Sequence, residues 1–109
     1  MSLHLLKCWP DAFEAVCAGT KTAEWRRDDR GFEVGDELCL DEFIPPELGP
    51  KGGPPDGRFT GRHLSVRVTH ILRAPKHGVP EGFVMLSIRR LPLPWTMRLR
   101  RYFFGGTKP

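Results

Sequence analysis

The sequence predicts an α+β domain of about five short strands with a single early helix. Three observations carry that reading. Apolar and polar residues alternate in several segments, the period of a strand with one buried face. Only the segment opening at Pro10 and closing at Gly19 has helical spacing. Eleven prolines and twelve glycines punctuate 109 residues, which favours short strands and turns over long helices. A chain of this length buries roughly two-thirds of its unfolded surface and holds one core without metal or disulfide help, so one domain is expected.

The elements follow in order. Ser2 to Lys7 reads as a first strand. Pro10 then fits the first turn of a helix, where its missing N–H is no loss. Asp11 and Glu14 complement the helix dipole there, and Phe13, Val16 and Cys17 recur at helical spacing. Gly19 supplies the C-cap. Thr22 to Arg27 alternates, with Thr22, Glu24 and Arg26 on one face and Ala23, Trp25 and Arg27 on the other. Asp28 to Gly31 is turn chemistry. The Val34-Gly35-Asp36 step is expected to reverse the chain with Val34 as its core anchor, leading into a strand over Glu37–Phe43. Residues 45–58 form a proline- and glycine-rich loop, expected to be mobile. Thr60 to Arg73 is the longest strand candidate, with Leu64, Val66, Val68 and His70 on one face. After a loop over Ala74–Gly82, Phe83–Arg89 alternates again. Beyond Leu91, three prolines, four basic residues and four aromatics make a basic extension, read as an amphipathic helix over Trp95–Phe104 or an arm.

Composition narrows the function classes. Residues 1–60 carry 7 Lys and Arg against 12 Asp and Glu, a balance of −5, whereas residues 61–109 carry 10 against 1, a balance of +9. That asymmetry points to a basic surface meeting a polyanion, RNA above all; the plainer alternative is a tail that aids solubility. The uncharged apolar runs are only a handful of residues long, so no bilayer span is expected, and the N-terminus lacks a small-residue cleavage site. Cys8, Cys17 and Cys39 form no C-x-x-C pair and read as free, partly buried thiols in a reducing cytoplasm. No metal or cofactor site is expected, since His4, His63, His70 and His77 show no metal spacing. Nor is there a G-x-S-x-G element or a phosphate-cradling loop.

The segment GTKTAEWRRDDRGFEVGD, Gly19 to Asp36, is the candidate site. It gathers Lys21, Glu24, Arg26, Arg27, Asp28, Asp29 and Arg30 between two glycine turns, broken by Ala23, Trp25 and Phe32 as core-forming side chains. Arg26, Arg27 and Arg30 offer planar forks for phosphate or for stacking on a base. Asp29 can orient Arg26 or Arg30. Lys21 can donate to a phosphate or a base carbonyl, or pair with Glu24 at the surface for under about 1 kcal/mol. Trp25 is expected in the core. Trp9, at the helix start, fits core and stacking roles equally, and base stacking on it would contribute about 1–3 kcal/mol. Lys7, Trp9, Lys21, Glu24, Arg26, Arg27, Asp29 and Arg30 make the expected ligand-binding set.

The ordered set of Gly19, Lys21, Glu24 and Arg26, followed by D-R-G-F and V-G-D, resembles the ASCH domains of the PUA-like superfamily, especially a phage and bacterial branch of unknown function. LHLLKCWPDAFEAVCAGTKTAEWRRDDRGFEVGDELCLDEF, FTGRHLSVRVTHIL and GVPEGFVMLSI carry the resemblance, over roughly residues 3–44 and 59–88. It implies a pseudo-barrel of five or six strands with a helix beside a cleft, a domain over residues 1–90 with an extension over 91–109, and binding of RNA or a nucleotide-like ligand. Some ASCH relatives are small amidohydrolases that deacylate N4-acylated cytidine through a Lys, a Thr and a later Glu. Here Lys21 matches that Lys, Glu24 stands at the Thr position, and Ala74–Gly82 offers Glu81. On that reading Lys21 and Glu24 are acid–base partners. A third reading makes the aromatic-basic extension a contact for another protein.

Overall fold

The computed structural model describes residues 1–92. The helix or arm expected after Leu91 lies outside the described residues from position 93 onward. Within the described residues five strands and one α-helix follow in the expected order: β1 (Leu3–Cys8), α1 (Pro10–Ala18), β2 (Ala23–Arg27), β3 (Glu37–Ile44), β4 (Arg58–Arg73) and β5 (Phe83–Leu91). They form one sheet ordered β1-β3-β4-β5-β2, curled into a half-barrel. β1 runs parallel to β3, and the other neighbours are antiparallel. Among the described residues, β1 and β2 are therefore the two edges of the sheet.

The concave side holds the core. Leu6 and Cys8 of β1, Leu38 and Leu40 of β3, Leu64, Val66 and Val68 of β4, and Val84, Leu86 and Ile88 of β5 all point inward and are buried. Helix α1 closes one side with Phe13 and Val16. Its apolar face is short, so nine residues of helix depend on this burial for stability. Gly19 ends the helix in the left-handed conformation (φ 79°), with its N–H and those of Thr20 and Lys21 donating to the carbonyls of Val16 and Ala15.

Three expectations are corrected here. Val34 does not anchor the turn before β3: it is 60% exposed, while Phe32 and Asp36 are each 1% exposed and fill that place. Trp25 is not in the core but 45% exposed on the convex side of β2. The inward face of β4 does not continue to His70. Val68 pairs with Ile88 but His70 pairs with Ser87, so Thr69 is an extra residue and the alternation flips. His70 is thereby turned out to solvent and Ile71 packs against the core. A single inserted residue has this effect because side chains alternate with period two.

The loop between β3 and β4 contains a short 3-10 turn over Pro46–Leu48. Its return is pinned at Gly57, where φ is +79° and a Cβ would stand 2.5 Å from the Ile44 carbonyl oxygen. No other residue fits that position without moving backbone.

Candidate functional site

Lys21, Glu24 and Arg26 meet at the seam where β1 and β2, the two sheet edges, face one another. The C-cap of α1 delivers Lys21 to the mouth of β2. The inward parity of β2 then buries Glu24, which is 5% exposed. Lys21 Nζ lies 2.5 Å from Glu24 Oε1 and also donates to the Ala23 carbonyl. Arg26 Nε donates to Glu24 Oε2 at 2.7 Å, and its Nη2 donates to the Lys7 carbonyl at 2.6 Å. One buried carboxylate is thus held between two cations, and one of those cations is fastened to the opposite strand.

Among the described residues the carbonyls of edge strand β1 have no ladder partner across the seam, and arginines take that place. Arg26 caps Lys7, and Arg30 Nη1 donates to the Leu5 carbonyl at 2.9 Å. Such charge-assisted bonds stabilise more than neutral ones, so a few side chains can hold the seam without a ladder. They leave donors over. A lysine has three N–H donors and an arginine five, so with two engaged on each, Lys21 keeps one and Arg26 keeps three. The trio carries net charge +1, and its donors are held in fixed directions. Beneath it lies Cys8, whose thiol is pushed up to about 11 by burial and by the neighbouring Glu24 carboxylate, with Lys21 and Arg26 opposing. Cys8 is therefore a neutral core side chain near neutral pH, not a nucleophile.

The other predicted residues are placed as follows. The Lys7 ammonium sits 4.4 Å from the centre of the Phe43 ring, so this residue joins the trio through its backbone only. Trp9 is the N-cap residue of α1 and is 46% exposed. Asp29 lies 4.0 Å from Arg30, a loose surface pair. Arg27 projects from the convex face, its guanidinium 5.2 Å from the Phe83 ring centre. Glu81 precedes β5 beside the Asp28 turn, since Asp28 N–H bonds the Gly82 carbonyl. It is at the far end of β2 from Lys21, roughly 20 Å along the strands at about 3.4 Å per residue. A surface pocket of about 280 Å³ opens within the loop from Ile44 to Arg58, and none of the predicted ligand-binding residues lines it.

A second polar group lies on the strand neighbouring β1. Glu42, paired with Cys8 in the β1–β3 register, is 4% exposed. It accepts from Thr60 Oγ1 at 2.7 Å and from Arg62 Nε and Nη2 at 2.8 and 2.9 Å. The Arg62 fork holds the Glu42 carboxyl below its ordinary range, against the effect of burial and with help from Thr60. Arg62 also reaches Glu14 at 3.4 Å and covers the Phe13 ring at 4.8 Å, tying α1 to the sheet. Arg62 lies in the basic half over residues 61–109, yet its fork is engaged inside the fold. Arg62→Ala is expected to destabilise the domain by about 2–3 kcal/mol, because it strips a buried carboxylate of two charged bonds. Urea unfolding of the two proteins measures the difference.

Sequence reasoning missed Asp36, the most fully buried acidic residue. It accepts from Ser2 N–H at 2.9 Å, His4 Nε2 at 2.9 Å and Glu33 N–H at 3.0 Å. Parity could have found it: His4 shares the inward face of Leu6 and Cys8, and an inward histidine needs a partner. Among the described residues no three His, Cys, Asp or Glu side chains converge as metal ligands, and all three cysteines are unpaired. Among them, too, no helix is long and apolar enough to cross a membrane.

Comparison with known proteins adds a family. A family model described as a domain of unknown function, DUF3850, matches residues 3–88, from β1 into β5. A protein of Escherichia phage P2, described as an uncharacterized 12.9 kDa protein in the GpA 3′ region, is 35% identical over 69 residues. The match covers 63% of this chain and 53% of the phage protein, so the chain spans about half the length of that relative.

Proposed function

The chain belongs to the DUF3850 family, and from that premise we propose that it is a nucleotide- or RNA-binding module of the PUA-like, ASCH type, working in a reducing cytoplasm. Its binding site is the seam between β1 and β2. One observation carries the reading: a carboxylate buried to 5% exposure holds Lys21 and Arg26 side by side, leaving their remaining donors to a ligand. Two cations fixed this way suit a phosphate, or a phosphate and a base carbonyl, because their orientation is set before the ligand arrives. Arg30 and the half-exposed Trp9 extend the site, the first as a further cation and the second as a face for a base.

The test is RNA affinity measured across a salt series. Each phosphate neutralised on a single strand contributes about −0.7 to the slope of log affinity against log salt, so Lys21, Arg26 and Arg30 together predict a slope near −2. Lys21→Ala should lessen that slope by about one contact. No binding, or a slope near zero, removes the proposal.

A second reading is supported by the 2.5 Å contact between Lys21 and Glu24. A lysine and a carboxylate in such contact can exchange a proton, as hydrolysis of the amide of an N4-acylated cytidine requires. Incubation with N4-acetylcytidine decides it. Turnover that vanishes in Lys21→Ala puts the enzyme reading first, and no turnover leaves the binding module.

A further inference from the structure

The convex face of β2, β5 and β4 carries a second feature, independent of the seam. Trp25 and Phe83 are diagonal neighbours across the β2–β5 pair, their rings 5.5 Å apart and within 14° of parallel. Arg27, directly opposite Phe83, lays its guanidinium against the same ring at 5.2 Å. Three planar groups thus stand in a row, and Trp25 at the end of the row is 45% exposed. Cross-strand aromatic pairs also stabilise an edge strand, and that is the plainer role for this stack.

Charge on the same face argues for more. β4 and β5 contain no acidic residue, and the one acid of β2, Glu24, is buried on the other side. The outward positions of these three strands carry Arg27, Arg67 and Arg89, and Arg67 and Arg89 are paired directly across β4 and β5. Like charges opposite one another are unfavourable in a sheet. Glu37 flanks Arg67 from β3, and Arg67 Nη1 donates to the Gly35 carbonyl, but Arg27 and Arg89 have no carboxylate within ion-pair distance among the described residues. His70 and Ser87, also paired, stand between the Arg67–Arg89 pair and the aromatic row and can meet a ribose hydroxyl.

We infer that this face is a docking surface for single-stranded RNA, with Trp25 as the platform for one base and Arg27 and Arg89 as phosphate contacts. A base adds to the free face of Trp25 as the next layer of a stack already ordered, so little side-chain freedom is lost on binding. The inference rests on the nucleic-acid reading above but uses a different face from the seam.

The experiment measures the anisotropy of a short fluorescein-labelled oligouridylate with the full chain, beside calorimetric titration of cytidine 5′-monophosphate. Trp25→Leu keeps apolar bulk and removes the aromatic face, and Trp25→Phe restores one; thermal melting checks that both fold. Trp25→Leu should weaken oligouridylate binding about 5- to 150-fold, the range for loss of one stacked base, and Trp25→Phe should recover much of it. Mononucleotide binding at the seam should not change in either variant. If Lys21→Ala abolishes mononucleotide binding while oligouridylate still depends on Trp25, the seam and the platform are separate sites, as inferred. Equal oligouridylate affinity in wild type and Trp25→Leu overturns the inference and leaves the stack as an edge-strand brace or a protein contact. Equal affinity for the matching oligodeoxyuridylate overturns the assignment to RNA, and equal affinity for duplex RNA overturns base stacking.

Discussion

Asp36→Ala is expected to destabilise the domain by about 3–5 kcal/mol, the cost of breaking a buried hydrogen-bonded pair by removing one partner. Three donors depend on this carboxylate: the Ser2 and Glu33 amides and the His4 ring. An alanine there leaves each of them short of an acceptor at a site 1% exposed to water. The His4 ring, packed 4.8 Å from Phe32, would lose its only side-chain hydrogen-bond partner among the described residues. Against a typical total of about 5–15 kcal/mol for a domain, the variant should be marginally folded. Urea unfolding at neutral pH measures the loss, and a change below about 1 kcal/mol would show that the network contributes little. Burial alone would raise the Asp36 carboxyl, but the bonds from His4, Ser2 and Glu33 outweigh it and bring it below its ordinary 3.8. The sign of the pH effect follows. A folded value below the unfolded one gives stability that is present above pH 3.8 and fades as pH falls through the folded value. The gap between wild type and Asp36→Ala should therefore narrow in acid, below about pH 4.

Why the strands were legible and this network was not comes down to range. Alternation and turn chemistry act over two to five residues, so Leu38 and Leu40, or Val84, Leu86 and Ile88, announce their inward face locally. The helix was equally plain, bounded by Pro10 and a left-handed Gly19. The pairing of His4 with Asp36 spans 32 residues and follows from β1 lying parallel to β3, which no local pattern encodes. The bulge at Thr69 is likewise a property of the β4–β5 pairing, so the sequence continued the inward face onto His70 one residue too far. Trp25 misled for another reason. Its size argues for burial, but its strand already spends its inward positions on Glu24 and Arg26, so parity turns Trp25 outward to stack on Phe83. In the candidate site, the convergence of Lys21, Glu24 and Arg26 was readable from one stretch of sequence. Their fastening to β1 was not, because Lys7 and Leu5 contribute only carbonyl oxygens, which carry no residue-type signal.

Glu24→Ala separates two accounts of that site, because they predict opposite signs. If the seam attracts an anionic ligand simply by charge, removing Glu24 raises the local balance from +1 to +2 and affinity for a mononucleotide should rise. If the carboxylate matters because it fixes Lys21 and Arg26 in place, affinity should fall despite the added positive charge. The geometry favours the fall. Both oxygens of Glu24 are engaged, at 2.5 and 2.7 Å, and without them two cations of like sign would swing apart. The expected loss is about 5- to 150-fold, since reordering a long, rotamer-rich side chain on binding costs about 0.5–1.5 kcal/mol and two are involved. Stability should drop as well, toward the 3–5 kcal/mol expected when one member of a buried ionic group is removed. Water will offset part of that, because the Lys21 and Arg26 side chains are 28% and 25% exposed. Glu24→Gln keeps the shape and one acceptor, so it should fold better than the alanine variant and bind with intermediate affinity. Calorimetric titration of cytidine 5′-monophosphate with the three proteins reads the sign directly. Tighter binding by Glu24→Ala than by wild type would mean that charge, not arrangement, governs the seam, and Glu24 would then be only a structural counter-ion.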